Sequence, residues 1–180
     1  WSSENTHRLN ALLRILSTFY IFRGNNDMRQ FLFAGLLALF SLSANAETAT
    51  AHFAGGCFWC MESDYQDKEG VIDVISGFTG GTLENPTYKG NHEGHFEAIE
   101  VTYDPGVISY QELLDLFWVS LDPFDNAGQF CDKGFSYRSA VFPATAEERA
   151  MAERSLAAVE ARFPGQEVYT EIRDAGRFWP

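Results

Sequence analysis

The chain has 180 residues, 46% of them hydrophobic and 15% aromatic, which is enough apolar material for one domain with a sizeable core and too much for disorder across its bulk. The formal net charge is −12, and beyond Ala46 nine lysines and arginines face 23 carboxylates, a balance of −14 that would repel a polyanion and excludes nucleic acid as a natural partner. Three cysteines are too few for a disulfide scaffold, and an odd number leaves at least one thiol free or exchanging partners.

The first residue is Trp1, and residues 1–27 are assigned no function. From Met28 onward, Arg29 supplies a positive start, Phe31 to Leu42 a short apolar run, and Ala44-Asn45-Ala46 a small-x-small site before Glu47. Residues 28–46 therefore read as a secretory signal peptide cleaved after Ala46, which predicts a periplasmic or secreted protein. The apolar run falls short of the about 20 residues of a membrane span, so a membrane anchor is the second reading. Residues 47–180 are expected to form a single domain.

Ala51 to Ala54 reads as a strand, Gly55-Gly56 as a sharp turn, and the spacing of Phe58, Met61 and Tyr65 as a helix. Cys57 then sits at a helix N-terminus, where unpaired N–H groups and the macrodipole favour a thiolate over a thiol. Gly70 ends the helical pattern, Val71 to Ser76 is a β-branched strand, and Gly77, Gly80 and Gly81 are expected to break it. Gly80 to Gly94 is a polar loop with Asn85-Pro86-Thr87-Tyr88 as turn chemistry. His95 to Tyr103 alternates as a second strand, in which Glu97 falls in phase with Ile99 and Val101; a carboxylate on an apolar face either points at a polar site or holds its proton unusually tightly.

Ser109-Tyr110-Gln111-Glu112 is a capping-box pattern opening a helix with Leu113, Leu114, Phe117, Trp118 and Leu121 on one stripe. An irregular loop from Phe124 to Phe135 carries Cys131-Asp132-Lys133-Gly134, and Ser136 to Phe142 reads as a strand. Thr145-Ala146-Glu147-Glu148 is a second capping box for a helix to about Phe163, before a last strand, Val168 to Ile172. Strands and helices mix without a repeating βα rhythm. The predicted class is α+β: a two-layer sandwich, a mixed sheet of ferredoxin-like core with additions and packed helices.

Cysteine at a helix start beside Phe58 and Trp59 is a reactive sulfur against an aromatic wall. His52, His92 and His95 are candidate bases, none with a diagnostic spacing. Gly-Cys-Phe-Trp-Cys at 56–60, Ser-Gly-Phe-Thr-Gly-Gly at 76–81, Asn-Pro-Thr-Tyr at 85–88, Gly-His-Phe-Glu-Ala at 94–98 and Gln-Phe-Cys-Asp-Lys-Gly-Phe-Ser-Tyr-Arg-Ser at 129–139 together resemble the A-type peptide methionine sulfoxide reductases, from about His52 to the last residue. The resemblance implies a cofactor-free oxidoreductase that repairs methionine S-sulfoxide, free or in proteins, after oxidative stress. Cys57 would attack the sulfoxide sulfur, Glu97 would donate a proton to its oxygen, Tyr88 and Tyr137 would hydrogen-bond that oxygen, Asp132 would order the site, and Phe58 with Trp59 would receive the methyl group. The resulting sulfenic acid would condense with a second thiol, and the disulfide would be reduced by thioredoxin or, for an exported protein, an exported thiol carrier. A monomer is expected.

Two departures from the family pattern stand out. Cys60 occupies a position that is often glycine, and the chain stops at Pro180, where the family usually continues into a tail carrying resolving cysteines; the tail is read as incomplete. Cys60 and Cys131 are the remaining candidates to resolve the sulfenic acid, with Cys131 slightly favoured because it adjoins Asp132. Two other readings compete. Cys57-x-x-Cys60 is also the signature of a thioredoxin-like dithiol oxidoreductase. Cys57, Cys60 and Cys131 with one of the three histidines could instead form a structural zinc site.

Overall fold

The opening apolar run folds as β1 (Ala49–Gly55), followed by α1 (Phe58–Tyr65), β2 (Val71–Thr79), β3 (Phe96–Tyr103) and α2 (Tyr110–Ser120). A two-stranded hairpin, β4 (Gly128–Gln129) and β5 (Asp132–Lys133), and a 3₁₀ turn (Phe135–Tyr137) lead to β6 (Ser139–Phe142), α3 (Ala146–Arg162) and β7 (Glu171–Ile172). This computed structural model describes residues 47–174 and 176–180, so the signal-peptide and anchor readings of residues 28–46 lie outside the described residues. Among the described residues no helix is long and apolar enough to cross a membrane.

The five-stranded sheet runs β2-β3-β1-β6-β7. Its pairs are antiparallel except β6 with β7, which is parallel. The order β1-α1-β2-β3-α2-β6 is that of a split βαβ, ferredoxin-like core, with β7 added at one edge; the expected mixed-sheet α+β class holds.

Alternation along β1 and β3 separates two apolar layers. Phe53, Ile99, Val101 and Tyr103 join Phe58, Met61, Tyr65, Leu113, Leu114 and Phe117 in the main core between sheet and helices. Ala54, Phe96, Ala98, Ala140 and Phe142 form a smaller cluster on the other face, covered by Phe178. Phe53 is the centre of the main core, with ring centroids of Tyr65, Phe117 and Tyr110 at 5.7, 5.6 and 6.0 Å, separations at which aromatic pairs add to simple burial.

Both predicted helix starts are capped. Ser109 Oγ accepts from Glu112 N–H at 3.2 Å while Glu112 Oε2 accepts from Ser109 N–H at 2.8 Å, a complete capping box. At α3 Thr145 Oγ1 accepts from Glu148 N–H at 3.1 Å, but the Glu148 carboxylate accepts from Ala144 N–H instead of closing on Thr145.

Three expectations are corrected. Gly77 does not break β2, which continues to Thr79. Gly77 is needed because the chain end crosses there: a Cβ would collide with the Trp179 carbonyl and lie 2.6 Å from the Phe178 ring, while Trp179 and Phe78 exchange both backbone hydrogen bonds at 2.7 and 2.9 Å. Ser136 and Tyr137 are not in a strand but in the 3₁₀ turn, and β6 starts at Ser139. Gly134, at φ 136°, breaks the extended path before the turn. The last predicted strand likewise shrinks to Glu171–Ile172.

Candidate active site

Cys57 is the N-cap residue of α1 and makes no capping hydrogen bond with its side chain, so the sulfur is left for other partners. It reaches that position through Gly56, whose φ of 95° suits glycine and whose Cβ would lie 2.6 Å from Gln129 Cβ. Gln129 is buried, and its amide accepts from Asp122 N–H and donates to Asp122 C=O, both at 2.8 Å. Gly56 thus lets the β4–β5 hairpin lie directly against the start of α1.

The first turn of α1 faces β3. Phe58 N–H, the first free donor of the helix, gives a 3.2 Å hydrogen bond to Glu97 Oε2. Glu97 is 2% exposed, and its other oxygen, Oε1, is buried with no partner. Burial pushes this carboxyl's pKa up and the nearby Asp132 charge adds to the effect; the Phe58 N–H bond and the charge of His92 oppose it. Leaving a buried acceptor unpaired costs about 1–3 kcal/mol, and protonation relieves it. With Oε2 occupied by an N–H, the proton belongs on Oε1, which makes that O–H a donor without an acceptor. The in-phase placement of Glu97 with Ile99 and Val101 is thus realised as a buried carboxyl of raised pKa at a helix start.

An aromatic wall stands over this pair. Phe58 is buried, and the rings of Trp59 and Tyr88 lie 4.9 and 5.9 Å from it and 4.9 Å from each other. Trp59 and Tyr88 remain 54% and 48% exposed, so the wall opens to solvent. Phe78 meets the Phe58 ring edge-on at 5.7 Å and is the cross-strand partner of Glu97. Sequence reasoning did not single out Phe78, although it sits inside the Ser-Gly-Phe-Thr-Gly-Gly segment.

Tyr137 is presented by the 3₁₀ turn. Burial raises its pKa, and the charges that raise it further are those of Glu97, Asp132, Tyr88 and Cys57 in that order. The phenol therefore keeps its proton in the same neighbourhood as the other predicted site residues. Of the two spare thiols, Cys60 is the one influenced by Cys57, which is the main cause raising the Cys60 pKa. The N-cap residue and the residue three positions on share one side of the first turn, which brings Cys60 near. Cys131 is exposed at the tip of the β4–β5 hairpin.

The histidines have other work. His52 pairs with Glu100 at 2.8 Å on the face away from the helices. His95 is buried, accepting from Gly81 N–H at 3.3 Å through Nδ1 and donating to Leu83 C=O at 2.8 Å through Nε2, which fixes both ends of the following loop. His92 stacks on Phe78. Among the described residues no group of three or more His, Cys, Asp or Glu side chains is arranged to hold a metal. The dithiol alternative expects a proline-bearing strand opposite the cysteines, and β3 offers Glu97 there.

The description peptide methionine sulfoxide reductase belongs to the family model that matches residues 49–180. The chain is 47% identical over 155 residues to peptide methionine sulfoxide reductase MsrA 2 of Caulobacter vibrioides, an alignment covering 82% of this chain and 79% of that one. It is 45% identical over 134 residues to MsrA of Bacillus licheniformis, covering 72% and 74%. Methionine sulfoxide reductase A of Corynebacterium diphtheriae aligns in three dimensions with a TM-score of 0.66 at 30% identity, covering 77% of this chain and 72% of that one. Mxr1 of Saccharomyces cerevisiae, solved in complex with Trx2, shares the fold with a TM-score of 0.56 at 21% identity, covering 75% and 81%. An N-cap cysteine beside a buried carboxyl of raised pKa, under an aromatic wall, on a ferredoxin-like core, is thus met in a chain that belongs to the peptide methionine sulfoxide reductase family.

Proposed function

We propose that this enzyme reduces methionine S-sulfoxide, free or in proteins, to methionine. The observation that carries the assignment is the pairing of Cys57 at the α1 N-cap with a buried Glu97 whose Oε1 has no partner. A sulfoxide needs a nucleophile at sulfur and a proton at oxygen at the same time, and this pair supplies both. Its methyl group fits the apolar edge of Phe58 and Trp59, while the oxygen meets Glu97 Oε1–H and the Tyr88 and Tyr137 hydroxyls. The helix N-terminus favours the thiolate, and a carboxyl kept neutral by burial can act as general acid.

Attack by Cys57 sulfur and proton transfer from Glu97 release methionine and leave the oxygen on Cys57 as a sulfenic acid. Condensation with a thiol then forms a disulfide and expels water. Cys60 is the better-supported partner because it lies one helical turn from Cys57, whose influence raises its pKa, and Asp132 raises the pKa values of the neighbouring groups. The disulfide would be reduced by dithiol exchange with a thioredoxin-type carrier, for which Mxr1 with Trx2 is a precedent on the same fold. The signal-like pattern of residues 28–46 supports action in a periplasm or outside the cell, where the carrier must itself be exported; Glu47 as the mature N-terminus on peptide sequencing is the expected result.

The test is a single turnover with one equivalent of methionine S-sulfoxide and no reductant. One methionine per chain and a Cys57–Cys60 disulfide by mass spectrometry are expected, with Cys60→Ala trapping an oxygen on Cys57. Methionine release from Cys57→Ser protein would refute the assignment.

A further inference from the structure

His92 is the one histidine near the wall, and nothing in the reaction above uses it. Its ring lies flat on Phe78, centroids 5.1 Å apart and planes inclined by 20°. Its Nδ1 is 3.2 Å from the Thr87 carbonyl; since a carbonyl can only accept, Nδ1 carries the hydrogen whether the ring is neutral or charged. Thr87 immediately precedes Tyr88 and is the hub of a closed turn: Thr87 N–H donates to Asn91 C=O at 3.1 Å, and Gly90 N–H donates to Thr87 C=O at 3.2 Å. Tyr88 has no buried anchor of its own, being half exposed with its ring resting on Trp59 and Phe58. The turn that carries it is fastened to the sheet where His92 sits on Phe78, and Phe78 is in turn the cross-strand partner of Glu97.

We propose that His92 is a positioning residue of this active site, fixing Tyr88 through the Thr87 carbonyl and bracing Phe78, beside Glu97, by ring stacking. The inference deepens the reductase assignment and rests on its roles for Tyr88 and Glu97. Misplacing a positioned group by about 1 Å can cost up to roughly a hundredfold in rate, and a loop turn with one side-chain tether is where such a shift starts. A charged His92 also opposes the burial that keeps Glu97 protonated. The other ionisable groups gathered around Glu97 and Tyr137 are Cys57 at the α1 N-cap, Asp132 on β5 and Tyr88 on the turn itself. None of these groups is itself removed when His92 is changed.

Two variants separate the tether from the charge. His92→Phe keeps a flat ring against Phe78 but removes the donor; His92→Asn keeps an N–H near the Nδ1 position but cannot become charged. For His92→Phe a fall of about tenfold in kcat is expected with KM little changed, and His92→Asn should recover most of it. In both, the fall in kcat/KM on the alkaline side should move to higher pH, since a charge on His92 lowers the Glu97 pKa and neither replacement can carry one. Parent kcat and an unmoved alkaline limb in His92→Phe would overturn the inference. So would losses in both variants that merely track a lowered melting temperature. Tyr88→Phe and Glu97→Gln are run alongside: if these are impaired while His92→Phe is not, His92 alone is misassigned, whereas full activity of Glu97→Gln would remove the reductase roles on which it rests.

Discussion

Strand β3 carries two glutamates three residues apart, and they meet opposite fates. Glu100 points away from the helices, is partly exposed, and has a histidine partner, His52, at 2.8 Å. Glu97 points into the helix-facing layer, is 2% exposed, and has one backbone N–H for a partner and an oxygen with none. The contrast shows what turns a carboxylate into an acid: being denied water and a bonded cation, while keeping one hydrogen bond that fixes its orientation. The partly exposed Glu100–His52 hydrogen bond is of ordinary worth, about 0.5–1.5 kcal/mol. Under the proposed mechanism, Glu97 weakens the fold and is kept for chemistry.

The sharpest way to break this comparison is to neutralise each carboxyl in turn. Glu97→Gln should lower kcat by about 10²–10⁴-fold, the range for a positioned general acid, whereas Glu100→Gln should stay within about twofold. Equal losses in steady-state assays would erase the distinction. The pH dependence follows from the direction of the Glu97 shift. Activity needs the protonated form, so the parent should remain active above the ordinary carboxyl range, near pH 4.3, and lose activity as pH rises through the elevated Glu97 value; Glu97→Gln should lack that limb.

Stability should run the other way from activity. Because folded Glu97 holds its proton more tightly than the unfolded chain does, folding stability falls as pH rises from about 4.3 through the folded value and then levels off. Glu97→Gln should therefore melt higher than the parent at neutral pH, with the gain vanishing towards pH 4. Thermal melts at the two pH values check this, and a Gln variant less stable at neutral pH than at pH 4, relative to the parent, would contradict it.

The thiols offer a second contrast. Cys60→Ala should release its first methionine normally and then stop under a dithiol carrier, because the sulfenic acid has lost the thiol one helical turn away; Cys131→Ala should keep turning over. Stopped-turnover assays with quantified methionine distinguish the two. The smallest effect is expected at the phenols: Tyr88→Phe and Tyr137→Phe should each cost roughly tenfold, the worth of one hydrogen bond near the upper end of the usual range.

What could be read from residues alone follows the range of the forces involved. The α1 start, the Ser109 box and the phase of Glu97 depend on neighbours within four residues, and each is found where local periodicity puts it. Gly77 escapes a local reading because its setting is made by distant chain, Trp179 crossing there; Tyr137 departs from the expected strand because Gly134, three residues before it, redirects the backbone ahead of the 3₁₀ turn. The choice between Cys60 and Cys131 also escapes a linear reading, since adjacency to Asp132 in sequence says nothing about which thiol faces Cys57. Phe78 falls beyond the expected end of its strand at Ser76, and its setting comes from what lies across the sheet and above it, Glu97, Phe58 and His92.

The proton on Glu97 can be observed directly. Infrared difference spectra of parent minus Glu97→Gln protein, taken at about pH 6 where ordinary carboxyls have titrated, should show the carbonyl stretch of one protonated carboxylic acid. A difference spectrum holding only carboxylate bands would mean that Glu97 is ionised in the resting enzyme, and the account of sulfoxide activation would fail.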